Sequence, residues 1–287
     1  MSTAPIPPGP PVILCADDYG ISEGVSAGIA ELALAGRLSA TSCMVTFPEW
    51  PTLARRLGGL RGRVAIGLHL NLTVGAPLGA MPAFAPGGAF PVISSVIGLA
   101  LRGSIDAAEI EREAARQLGA FADATGFAPD FLDGHQHVHA LPGVRKGMLA
   151  ALAGLPVLVR DPSDTLARII RRRMFAGKAM TLSALALGFG KAARAAGFSV
   201  NAGFSGFSDF DPSSPYAREL EAAFTACGPR HLTMCHPGHA DAALASRDSV
   251  TARRDEEFAA LMAAERLTER LWRPDRSRAN IWSDANG

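Results

Sequence analysis

The chain predicts an α/β fold of parallel strands and alternating helices, closed as a barrel or open as a sheet. Three observations carry this. Short apolar runs of the kind buried on both faces recur at 12–16, 40–47, 64–68, 155–159 and 231–235. Amphipathic helical stretches fill the intervals between them. Polar residues gather where the apolar runs end, and in parallel α/β folds the carboxyl ends of strands are where chemistry collects.

The bulk numbers agree. A chain of 287 residues, 48% hydrophobic and 19% charged, can bury a full core without staples. Its net charge of +1 provides no electrostatic footprint for nucleic acid or an acidic membrane. Residues 1–11 are Pro-rich and are expected to be disordered or extended, with a single domain over 12–287. They lack a basic stretch followed by an apolar core, and no run of about 18 apolar residues reaches membrane-span strength. A cytoplasmic protein is therefore expected. Cys15, Cys43, Cys227 and Cys235 form no CxxC pair and read as buried free thiols of a reducing compartment.

The first apolar run ends in Asp17-Asp18-Tyr19-Gly20. Ser22 then stands where it can cap a helix with period-fitting Val25, Ile29, Leu32 and Leu34, stopped by Gly36. Adjacent acids make poor caps for each other because like charges repel; the plainer reading is a polar turn in which one Asp caps the helix. A strand over 40–47 and a helix over 51–57 lead to a third strand over 64–68, which delivers His69. Residues 75–103 read as a long loop with a short helix over 92–101, and a loop of that length tends to be a lid or a binding loop. Residues 106–126 form an amphipathic helix with Ile110, Ala114, Leu118 and Phe121 on its apolar side and Glu109, Glu111, Arg112, Glu113 and Arg116 mostly elsewhere.

The next strand enters Asp133-Gly134-His135-Gln136-His137-Val138-His139. If this stretch is extended, Asp133, His135, His137 and His139 share one face. A carboxylate with three imidazoles is the inventory of a metal or proton-transfer site, the alternative being a solvated His-rich loop. A helix over 142–153 and a strand over 155–159 follow, the latter ending in Arg160. Arg160 can orient a carboxylate or an anionic intermediate, or belong to a surface ion pair. Residues 166–197 read as a helical pair in which Arg171-Arg172-Arg173 is a solvated face. Residues 198–211 read as a strand plus an aromatic-lined substrate loop, or as irregular core packing. A helix over 215–226, a strand over 231–235 delivering His236, and a last helix over 249–266 complete the chain.

Asp17, Asp18, His69, the Asp133–His139 stretch, Arg160 and His236 all stand at strand exits. One carboxylate and two imidazoles bind a divalent cation with positions left for water and substrate. A second carboxylate can take a proton from the water, and a histidine opposite can serve the leaving group. No GxSxG nucleophile elbow is present, so activated water is the better nucleophile for an amide or ester. The same ligands would serve a phosphoester or cyclic-amide hydrolase, although one Arg is little clamping for a phosphoryl group. A non-catalytic sugar-binding barrel is the third reading.

These residues resemble the carbohydrate deacetylases of YdjC type, the group that includes chitooligosaccharide deacetylase and the hopanoid-biosynthesis-associated deacetylase. The likeness is carried, in order, by ADDYG and its helix (16–36), TSCMV (41–45), IGLHLNLT (66–73), FLDGHQHVH (131–139) and MCHPGHAD (234–241). The resemblance implies an irregular, TIM-barrel-like (β/α) barrel of one domain and hydrolysis of an N-acetyl group on an amino sugar or sugar-containing lipid. It makes Asp17 the general base, Asp18, His69 and His135 the metal ligands, and His236 the general acid or a stabiliser of the intermediate. His137, His139, Arg160 and Asp133 would stand behind the ligands or against the substrate. Strand alternation alone does not choose His135 over His137; that choice rests on the resemblance. Tyr19 stands where the family usually has Phe. Residues 160–230 match poorly and would shape the sugar pocket. The implied cofactor is one divalent ion: the ligand types suit zinc, and the family points to magnesium. The expected partner is a small N-acetylated sugar or glycolipid, not nucleic acid, and a homodimer is compatible with the sequence.

Overall fold

The structure is a computed structural model that describes residues 5–211, 214–278 and 281–282. Its strands are β1 (Val12–Tyr19), β2 (Ala40–Cys43), β3 (Ala65–Leu70), β4 (Phe131–Gly134), β5 (Leu158–Val159), β6 (Ser199–Val200), β7 (Phe204–Ser205) and β8 (His231–Cys235). All neighbours pair in parallel, in the order β6-β5-β4-β3-β2-β1-β8-β7. The two edge strands are consecutive in the chain, joined by residues 201–203 alone. That link spans at most about 14 Å, whereas a flat sheet of this size is about 34 Å across. The sheet therefore curls until its edges approach. Among the described residues β6 and β7 do not pair, so the expected irregular barrel stays open at one seam. Asn201 spans it, its amide donating to the carbonyls of Asp161 and Gly203 at 2.8 and 2.9 Å.

The helices are α1 (Glu23–Leu34), α2 (Trp50–Leu57), α3 (Ile93–Leu101), α4 (Ala107–Thr125), α5 (Val144–Ala151), α6 (Leu166–Arg172), α7 (Ala176–Leu185), α8 (Phe189–Ala195), α9 (Tyr216–Phe224), α10 (Ala242–Arg247) and α11 (Ala252–Ala263). Ser22 caps α1 as expected, its Oγ accepting from the Val25 N–H at 3.3 Å. Among the described residues no helix is long and apolar enough to cross a membrane. Residues 5–11 carry neither strand nor helix, yet Ile6 is buried and Arg270 donates to the carbonyls of Pro7 and Pro10. All four cysteines are free thiols, three of them buried.

Strand alternation sorts the core. Leu14 and Ala16 of β1 join the large cluster beneath the helices, while Ile13 and Cys15 join Ala40, Ala65, Phe131, Leu158, Phe204 and Leu232 in a second cluster that fills the barrel. Gly67 belongs to that interior face because a Cβ there would sit 2.6 Å from the Phe131 ring. The next inward positions up these strands are Asp17, Ser42, His69, Asp133, Arg160 and His236, and they form the polar layer above the apolar floor.

Several expectations are corrected. The run 166–197 folds as three helices, α6 to α8, rather than a pair, and residues 198–211 supply two very short strands. Arg172 is not on a solvated face: it is buried and bonds Asp164 and the Phe204 carbonyl at 2.7 and 3.0 Å. Glu109 and Glu113 do not face solvent from α4. Glu109 accepts from the N–H of Phe84 at 2.7 Å and Glu113 from that of Leu78 at 3.0 Å, so the helix satisfies the backbone of the long loop. The extended histidine ladder does not form either. β4 stops at Gly134, and 135–140 is a tight 3₁₀ turn with left-handed Gln136 (φ 52°) and His137 (φ 59°), which sends the three imidazoles in different directions.

Candidate active site

A cavity of about 690 Å³ opens at the carboxyl ends of the strands. Asp17, Asp18, His69, His135 and His236 line it, together with His137. In a regular strand Asp17 and Asp18 would point to opposite faces. Between Ala16, paired with Thr41, and Tyr19, paired with Cys43, the register slips by one residue, and Asp18 takes a left-handed φ of 71°. This bulge turns both carboxylates into the cavity, a strained conformation held by its bonds. Gly20 completes the turn at φ 92°, where a Cβ would run into the Met44 carbonyl.

The Asp18 Oδ1 is the meeting point of two imidazoles, His135 Nδ1 at 3.0 Å and His69 Nε2 at 3.2 Å. These three buried groups can converge on one ion. Behind His69, Asp133 Oδ1 accepts from Nδ1 at 2.6 Å. With its proton on Nδ1, a neutral His69 directs the Nε2 lone pair at a carboxylate oxygen, an arrangement that needs a proton or a cation between them. Burial would keep the imidazole neutral, but Asp133, with Asp18 and Asp17 nearby, outweighs it and pushes the His69 pKa up to about 10.

Charge arithmetic points the same way. With both imidazoles neutral, as metal ligands must be, Asp17, Asp18, Asp133 and Asp248 are paired with two guanidiniums, Arg160 and Arg254, and the excess of two negative charges is what one divalent ion balances. The donor set of one carboxylate and two imidazoles thus fits a divalent cation. Cys15, Asp17 and Asp133 also approach one another, but Arg160 occupies the space between the two carboxylates and burial pushes the Cys15 thiol up.

Arg160 is fully buried, not a surface ion pair. Its NH1 and NH2 donate to Asp17 Oδ2 and Oδ1, both at 2.6 Å, and NH2 also meets Asp133 Oδ2. Burial raises the Asp17 pKa, and the Arg160 guanidinium more than reverses it, holding the carboxyl well below its ordinary range. His139 does not reach the cavity: it packs under Phe189, and its Nε2–H donates to the Arg160 carbonyl at 2.8 Å. Burial lowers its pKa to about 4, so the ring stays neutral. His137 packs edge-on to Phe204, and burial with the nearby Arg160 charge holds its pKa far below the usual imidazole value. His236 is lowered by burial against the pull of Asp18 and Asp17.

Two site residues were not legible at strand exits. Arg254 donates from NH2 to Asp18 Oδ2 at 2.7 Å, and Glu257 accepts the His236 backbone N–H at 2.6 Å. Both come from α11, whose amphipathic pattern was the only sequence signal. Leu182 and Leu185 of α7, Phe207, Phe210 and Met234 give the cavity an apolar lining, and Lys178 lines it too. The aromatic-lined loop expected over 198–211 is thus at the cavity.

Over residues 11–269 the chain matches the YdjC-like protein family. It belongs to that family. Among curated relatives of this YdjC-like chain, a chitooligosaccharide deacetylase of Enterobacter sp. (strain 638) is 34% identical over 136 residues, covering 46% of this chain and 52% of the relative. A human carbohydrate deacetylase is 33% identical over 146 residues, covering 49% and 45%. The matched stretch thus spans about half the length of these relatives. A solved structure from Enterococcus faecalis V583, described as a candidate cellobiose-phosphate cleavage protein, superposes with a TM-score of 0.67 at 19% identity over 97% of this chain and 95% of the other. It shares the fold of this YdjC-like chain.

Proposed function

We propose that the chain is a metal-dependent carbohydrate deacetylase that hydrolyses the N-acetyl group of an amino sugar. The observation that carries this is the Asp18–His69–His135 cluster beside Asp17 and His236 at one end of the cavity. Family membership and the names of the curated relatives support the substrate class. Asp18, His69 and His135 would hold the cation, which supplies Lewis acidity to the water and to the amide carbonyl.

Asp17 is the base. Arg160 grips both its oxygens, so the carboxylate stays ionised and aimed at the cavity; a weak base is adequate for water already made acidic. As the water oxygen bonds to the acyl carbon, its proton passes to Asp17. The C–N bond then breaks as the proton taken by Asp17 is handed on to the leaving amine nitrogen by way of His236, which gives its own proton and is refilled; acetate leaves and Asp17 is restored as the free base. His236 leaves β8, on one flank of β1, while Asp133 leaves β4 on the other. The lowered pKa of His236 supports a neutral ring at rest, which serves first as a hydrogen-bond donor to the developing charge. Asp133 fixes the His69 tautomer, and His139 steadies Arg160 through its carbonyl. The apolar lining, with Lys178 among it, suits the body of a saccharide and whatever group it carries.

The test is acetate release from a panel of N-acetylated sugars, with and without EDTA and with added magnesium or zinc. Release that EDTA abolishes and a divalent ion restores is the expected outcome. Phosphatase activity without acetate release would replace the reading with a phosphoester hydrolase.

A further inference from the structure

We propose that Arg254 is a positioning residue that confines Asp18 to a single ligating oxygen. The inference rests on the metal-site reading above. A carboxylate can hold a divalent ion through one oxygen or both. Here the two oxygens have different neighbours. Both imidazoles converge on Oδ1, while Oδ2 accepts from Arg254 NH2 at 2.7 Å. Two-oxygen ligation would make Oδ2 divide its charge between the ion and Arg254 and weaken that charge-assisted bond.

Arg254 cannot easily release Oδ2. The residue is fully buried, its NH2 also donates to Asp248 Oδ2 at 2.6 Å, and its Nε donates to the Val250 carbonyl at 3.0 Å. Its own carbonyl accepts from the Gly238 N–H at 3.1 Å, in the turn that follows His236. Asp248 and Val250 are themselves cavity wall. One guanidinium therefore ties the wall of the cavity and the first turn of α11 to the oxygen of Asp18 that faces away from the cluster. With Oδ2 held, the protein supplies three ligand atoms and the remaining positions stay open to water and substrate.

A role limited to neutralising buried Asp18, or to bracing α11, would not alter how many oxygens reach the ion. Cobalt(II) reads this directly, because its visible absorption weakens as its coordination number rises. The full chain is loaded with cobalt in the wild-type, Arg254→Met and Arg254→Lys forms. Spectrum, cobalt affinity, melting temperature and acetate release from an N-acetylated glucosamine disaccharide are then compared. Arg254→Met is expected to show the weaker, higher-coordination spectrum with cobalt affinity equal or tighter. Its kcat should fall about tenfold or more with KM within about threefold, the pattern of an interaction needed only in the transition state. Arg254→Lys, which retains a cation for Oδ2, should keep the wild-type spectrum. An Arg254→Met protein that melts normally and has the wild-type cobalt spectrum overturns the proposal, as does about tenfold weaker cobalt binding in either variant. Wild-type protein that takes up no cobalt overturns the metal reading itself, which keeps the two failures distinct.

Discussion

Asp17 and Asp18 are neighbours in sequence and carry the same charge, yet their surroundings divide the work. Asp17 is gripped by Arg160 on both oxygens and touches neither of the converging imidazoles within hydrogen-bond distance, whereas Asp18 meets His69 and His135 through one oxygen. The division follows from one backbone feature, the left-handed Asp18 that breaks strand alternation. If Asp17 is the base and not a ligand, Asp17→Asn keeps the shape and the Arg160 neighbour while removing the proton acceptor. The expected result is retained divalent metal with turnover down by about 10²–10⁴. Metal content by elemental analysis, beside acetate release, checks both halves; near-normal turnover would remove Asp17 from the mechanism.

The strand exits were legible because each followed an apolar run, and the structure shows why they turn inward. Cys15 faces the barrel, so Asp17 does; Ala65 and Gly67 face it, so His69 does. The stretch beyond Asp133 was misread because alternating polarity also describes a tight turn, and the left-handed residues at 136 and 137 have no Gly to announce them. The contribution of α11 was illegible for another reason: Arg254 meets Asp18 across 236 residues of chain, and on a helix Arg254 and Glu257 look like ordinary solvated charges. Buried instead, they brace Asp18 and the His236 backbone from one helix. Burial pushes Glu257 up to about 7, opposed by the His236 N–H, Arg254 and Arg253. The folded chain thus keeps a proton that the unfolded chain releases near the ordinary value of 4.5. This contribution to stability is complete below about pH 4.5 and is lost as pH rises to about 7. Glu257→Gln keeps an acceptor for the His236 N–H and cannot ionise. Its melting temperature should fall less than that of the wild type between pH 5 and pH 8, measured by calorimetry at matched ionic strength. Parallel curves would show that Glu257 does not titrate in that window.

For the molecule as a whole, the parallel sheet sets where charge accumulates. Eight strands running the same way bring all their carboxyl ends to one rim, and the chain has stacked acids there over an apolar floor. With the imidazoles neutral, two guanidiniums leave the rim two charges short of balance, and the burial of Asp17, Asp18 and Asp133 makes that deficit costly. A bound divalent ion should therefore act as a structural element of the folded state. A ligand at about one hundred times its dissociation constant stabilises by about 2.7 kcal/mol if it binds only the folded chain. In a chain of this size that corresponds to a rise in melting temperature of about 5–10 °C. Removing metal with EDTA should lower the melting temperature by that much, and His69→Ala should abolish the difference by lowering the metal-loaded value. A melting temperature indifferent to chelator in the wild type would mean that the rim is balanced by protons, with His69 as imidazolium, rather than by a cation.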